Sequence, residues 1–161
     1  MYCHCRMLAL RGLSLLLGLL VIGVSQAKEP AMAIRADAGA SEKPEELRMW
    51  MTIDERRFAI TLTDNNTARA FAAQLPLALH MKELNGNEKH AKLPTSLPAN
   101  ASRPGIIRNG DLMLYGADTL VVFYSAFNSM YSYTRIGRVD DTAGLAQALG
   151  PGNARIIFSG Q

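Results

Sequence analysis

Apolar and polar residues alternate along this chain in short runs. Met49, Met51 and Ile53 alternate with Trp50 and Thr52, and Phe58, Ile60 and Leu62 alternate with Ala59 and Thr61. A period of two puts one strand face inward and the other outward, and the polar Asp54-Glu55-Arg56 between the runs predicts an opening hairpin. The period then lengthens. Asp64-Asn65-Asn66-Thr67 offers N-capping side chains, Ala68, Phe71, Ala72 and Leu75 recur at helical spacing, and Pro76 stops the helix. One apolar face suits that helix to plug a barrel mouth. Leu77, Leu79 and Met81 resume the alternation and lead into the turn signal Asn85-Gly86.

Glu88 to Pro104 lacks periodicity, carries Pro94, Pro98 and Pro104, and reads as one long loop. Between Arg103 and Arg138, three apolar, aromatic and β-branched runs lie among Gly, Asn and Asp, which predicts three consecutive antiparallel strands. Asp141 and Thr142 are placed to cap a second short helix bearing Leu145, Ala146 and Leu149, closed by Gly150-Pro151. Ala154 to Phe158 reads as a closing strand with Ile156 and Phe158 on one face. Pairing the first strand with the last removes both free edges. The expected fold class is mainly β, a closed barrel of about eight strands with two short helices, any chemistry being confined to one mouth.

The N-terminus changes the picture of where this domain works. Arg6 and Arg11 flank the start of an apolar and small-residue run from Gly12 to Ser25, and Ser25-Gln26-Ala27 offers small residues at a cleavage site. The run is shorter than the roughly 18 residues of a spanning helix. Residues 1–27 are therefore expected to be a cleavable signal peptide, starting at Met1 or Met7, and the protein to be periplasmic or secreted. An uncleaved signal would be the one membrane attachment. Residues 28–47, rich in Ala, Glu, Lys and Pro, read as a flexible linker, and 48–161 as the barrel domain.

Cys3 and Cys5 are the only cysteines and leave with the signal, which excludes disulfides, thiol nucleophiles and thiolate metal sites in the mature chain. Losing Arg6 and Arg11 lowers the net charge from +3 to about +1. Dispersed, nearly neutral charge is a poor match to a phosphate backbone, so no nucleic-acid partner is expected. His80 and His90 lack metal-ligand spacing. There is no phosphate loop, dinucleotide fingerprint or nucleophile elbow. No metal and no cofactor are expected.

Several segments resemble the bacterial cyclophilin-like fold family. They include Asp64-Asn65 with Thr67-Ala68-Arg69, Leu75-Pro76-Leu77, and Leu84-Asn85-Gly86-Asn87-Glu88-Lys89. Leu93-Pro94, Pro104-Gly105, Gly110-Asp111-Leu112, Leu114-Tyr115, Phe123-Tyr124, Tyr133-Thr134-Arg135-Ile136-Gly137-Arg138 and Leu145 follow in order, so the resemblance spans Met49 to Phe158. It implies an eight-stranded barrel shaped like that of cyclophilins, and an association of some relatives with flavodoxin-type redox proteins. The chain departs from true cyclophilins by lacking their Phe-His-Arg segment and, Gly110-Asp111 aside, their Gly-Gly-Asp segment. The fold can carry over without the prolyl isomerase activity.

Six residues are candidates for ligand binding: Arg135, Tyr115, Tyr124, Tyr131, Tyr133 and Glu88. The tyrosines and Arg135 fall at strand ends or on alternating positions, so several can face one cleft. Arg135 offers a planar fork of donors to an anion or carbonyl, or else is a structural arginine paired with Glu88 or an aspartate. The tyrosines line a groove or pack across strands. Glu88-Lys89 contacts a ligand, orders the loop, or is a solvated turn pair. Three functions remain open: a non-catalytic module binding a peptide or small molecule, a peptidyl-prolyl isomerase, and an accessory of a flavodoxin-type redox system.

Overall fold

A computed structural model describes residues 47–161; the expected signal peptide and nearly all of the expected linker lie outside the described residues. Ten strands and two helices follow in the order β1 (Arg48–Ile53), β2 (Arg56–Leu62), α1 (Asn66–Ala72), β3 (Leu77–Leu84), β4 (Glu88–Lys92), β5 (Gly105–Ile107), β6 (Asp111–Tyr115), β7 (Thr119–Phe123), β8 (Phe127–Ser129), β9 (Thr134–Val139), α2 (Leu145–Leu149) and β10 (Ala154–Gly160). Eight strands close an antiparallel barrel in the order β1-β10-β3-β4-β7-β6-β9-β2, and β5 with β8 forms a separate two-stranded ribbon. The first strand pairs with the last, Met49 opposite Gly160 through Ile53 opposite Ile156.

The alternation described above selects the barrel interior. Met49, Met51, Phe58, Ile60, Ile156 and Phe158 all point inward and are buried, and both helices seal this core. Each fully buried side chain of this size contributes about 1.5–3 kcal/mol. The Phe71 ring of α1 meets Phe158 edge-on at 5.7 Å, and α2 buries Leu145 and Leu149. Gly137 is required where β2 and β9 meet, because a Cβ there would sit 2.7 Å from the Thr61 carbonyl oxygen. Asn85 and Gly86 both take positive φ, as the tight β3–β4 turn demands.

A second, smaller core lies outside the barrel wall. Met113, Val121 and Phe123 face away from the interior and pack beneath the ribbon with Ile107, Phe127 and Tyr133. Strands β6 and β7 are thus buried on both faces, which explains why they read as unbroken apolar runs.

Three expectations are corrected. The loop from Glu88 begins with a strand, β4, paired to β3 and β7. Its alternation is hidden because its outward residues are Glu88, His90 and Lys92, while the inward Lys89 is a buried cation. The three central strands are five, since the short β5 and β8 cross-pair over the second core. The α2 cap is Gly144, with no side-chain cap: Asp141 Oδ1 accepts from the Ala143 N–H instead, and Arg56 donates to the Ala143 and Gly144 carbonyls. The α1 cap is as expected, Asn65 accepting from the Ala68 N–H at 2.8 Å.

Candidate functional site

The main concavity lies against the outer barrel wall rather than at a mouth. It is a cleft of about 800 Å³ whose floor is the outer face of β3, β4 and β7 and whose far wall is aromatic. The fold places it there by a simple parity. Glu88 and His90 sit opposite Phe123 and Val121, so outward residues of β4 adjoin the apolar residues on which the ribbon rests. The ribbon covers β6 and part of β7 and stops short of β3 and β4.

Four of the six candidates meet in this cleft: Tyr115, Tyr131, Tyr133 and Glu88. The Tyr115 ring packs against Tyr131 at 6.3 Å and against Tyr133 at 5.7 Å, and Tyr133 abuts Phe123 edge-on at 5.5 Å. This chain of rings is anchored by the second core at one end and reaches solvent at the other, where Tyr131 is 65% exposed. Main-chain bonds between Ser102 and Tyr133, at 2.9 and 3.0 Å, hold the wall upright.

Glu88 lies at the base, only 8% exposed. Burial pushes its carboxyl above the usual range and the Glu83 charge adds to the effect. Among the described residues no donor or cation pairs with that carboxylate. Burial also raises the Tyr133 hydroxyl, reinforced by the Glu88 charge, which places the two groups within electrostatic reach. Glu88 and Lys89 are thus not a solvated turn pair. Lys89 points the other way, wholly buried, and donates to Glu83 and to the Gly150 and Gly152 carbonyls at 2.7 and 2.6 Å.

The remaining two candidates lie elsewhere. Arg135 donates to the buried Asp111 at 3.0 Å and borders a separate groove beside Arg138 and Asp140. Asp111 in turn accepts from the Arg108 N–H, so this arginine buttresses a turn. Tyr124 donates to Glu83 at 2.7 Å, and burial together with that bond pushes its hydroxyl up to about 12. It belongs to the Lys89 cluster at the barrel end.

Sequence reasoning missed the rest of the cleft. His80, Lys82, His90 and Lys92 line its floor and rim, and Phe127 its wall. Lys92 is paired with Asp118 at 2.9 Å. The signal was available in Lys82-Glu83-Leu84 and Glu88-Lys89-His90, equally spaced about Asn85-Gly86-Asn87, which is the pattern of a hairpin that sets Lys82, Glu88 and His90 on one face. No group of three or more His, Cys, Asp or Glu side chains able to hold a metal occurs among the described residues.

A closed eight-stranded antiparallel barrel with two helices is consistent with a cyclophilin-like fold. The chain matches the cyclophilin-like family over residues 51–159 and belongs to that family. The solution structure of the hypothetical protein AF2241 from Archaeoglobus fulgidus is similar, with a TM-score of 0.52 and 13% identity, over 75% of this chain and 99% of that one. At that identity the likeness establishes the fold alone. No curated protein matches the chain.

Proposed function

We propose that this is an exported, non-catalytic binding module that takes a peptide or small molecule in the aromatic cleft. The observation that carries the reading is the convergence of Tyr115, Tyr131 and Tyr133 with the buried, unpaired Glu88 around one open cavity. Apolar walls with a few convergent polar groups and a perturbed carboxyl are what small ligand sites look like. The segment from Arg6 to Ala27 supports export.

The isomerase alternative needs an arginine beside an apolar pocket. Among the described residues no arginine lines the cleft, and Arg135 is committed to Asp111. A role beside a redox protein is compatible with a binding module and adds no group to the site.

A fragment and peptide library titrated into labelled protein tests the reading by amide chemical shifts. Ligands are expected to move Val121, His90, Tyr131 and Tyr133, and Tyr131→Ala with Tyr133→Leu to weaken them at least about tenfold. Hits confined to the Arg135 groove, or unaffected by the tyrosine variants, overturn it.

A further inference from the structure

The wall beneath this cleft is incompletely paired. Strand β3 runs from Leu77 to Leu84, but its pairing with β4 stops at Lys82 opposite His90. Continued register would set His80 against Lys92, and no pairing of the two strands occurs there. The direction of the freed groups follows from neighbouring bonds. The Glu83 N–H donates to Asn153 on the β10 side, and backbone groups alternate along a strand, so those of Ala78, His80 and Lys82 point toward β4. On β4 the Leu93 N–H donates to Asp118 on the β7 side, so Lys92 points toward β3. Among the described residues, Ala78, His80 and Lys92 therefore present main-chain donors and acceptors to a gap with no strand in it. All three line the cleft.

An open strand edge in a ligand cleft is a template for another main chain. Four residues further along β4, about 13 Å from Lys92, lies Glu88. Its carboxylate faces Tyr133 and the ring wall and, among the described residues, has no cation of its own, although Lys82 stands on the same face of the neighbouring strand. Carboxylate and tyrosine faces together are the surroundings a desolvated ammonium or guanidinium favours.

We propose that the ligand is an extended polypeptide segment that pairs its main chain with the free edge at Ala78 and His80 and directs a lysine or arginine side chain, two or three residues on, to Glu88 among the tyrosines. The proposal rests on the binding reading above and specifies its ligand. Strand pairing supplies affinity without regard to sequence, and Glu88 supplies the selectivity for a basic side chain. The unpaired edge offers the main-chain groups of only Ala78 and His80 on β3 and Lys92 on β4, which favours short, transient engagement over stable sheet extension.

The test uses fluorescein-labelled heptapeptides of alternating Thr and Val with one central Lys, norleucine or Glu, read by fluorescence polarisation against the whole domain. The Lys peptide is expected to bind at least about tenfold tighter than the norleucine peptide, and the Glu peptide to show no saturable binding. N-methylation of alternate backbone nitrogens is expected to weaken the Lys peptide about tenfold in one parity and hardly at all in the other. Glu88→Gln should erase the preference for Lys over norleucine. Pentylamine alone should bind at least about a hundredfold more weakly than the Lys peptide. Equal binding of Lys and norleucine peptides, or indifference to N-methylation in both parities, overturns the proposal; both readouts leave the protein unaltered. If library fragments still occupy the cleft in that event, the binding reading stands and only the peptide assignment falls. If Tyr131→Ala changes nothing for any ligand, the binding reading falls with it.

Discussion

Two neighbouring residues, Glu88 and Lys89, point to opposite sides of the barrel wall and act on stability in opposite senses. Lys89 is held by a carboxylate and two carbonyls inside the barrel end, and its removal leaves those acceptors buried and unpaired. Lys89→Met is expected to lower the unfolding free energy by about 3 kcal/mol, measured by urea denaturation with an unchanged m-value. Burial acts to raise Glu83, but hydrogen bonds from Lys89 and Tyr124 outweigh it and hold the carboxyl below its ordinary 4.5. That contribution is present above the unfolded value and is lost as the pH falls through the folded one. Glu88 has the opposite sign. Its carboxyl is raised, so its charge costs stability above the folded value, and that cost is absent below 4.5. Glu88→Gln is expected to be more stable than wild type at neutral pH, with the advantage shrinking on acidification and gone below about 4.5; thermal unfolding across that range checks it. A stabilising substitution at a concave site is a mark of a residue kept for binding.

At the level of elements, the ribbon of β5 and β8 separates site from scaffold. It rests on the second core and supports the ring wall, but makes no part of the closed barrel. Ile107→Ala is expected to cost about 2–4 kcal/mol and to loosen the Tyr131–Tyr133 wall. Near-ultraviolet dichroism and hydrogen exchange should register that loss while the barrel amides stay protected. The barrel strands were legible in the sequence because one face of each is dry and the other wet, so Met49, Met51 and Ile53 declare their register unaided. Strand β4 was not, since its inward Lys89 is satisfied by groups contributed from β3 and the end of α2, which no local pattern reveals. The ribbon escaped for a related reason: three-residue strands are too short to show a period. The tyrosines were legible as a set, but which of them converge depends on the strand order. Tyr115 and Tyr133 come together through β6 beside β9, while Tyr124 turns to Glu83 just beyond the end of β7.

For the molecule as a whole, residues 47–161 contain a complete set of strand partners for the barrel. A polypeptide of these residues alone is expected to unfold in one cooperative transition and to give a dispersed amide spectrum. Deleting residues 154–161 should abolish that transition, because β10 is the strand that joins β1 to β3. The seam between β1 and β10 also sets a schedule. A ribosome makes β1 more than a hundred residues before it can make β10, so the shell stays unsealed until the last of its strands has been made. Contacts this distant in sequence form late and slowly. Until β10 emerges the nascent domain has no partner for the free edges of β1 and β3, and the barrel shuts only once that strand is available.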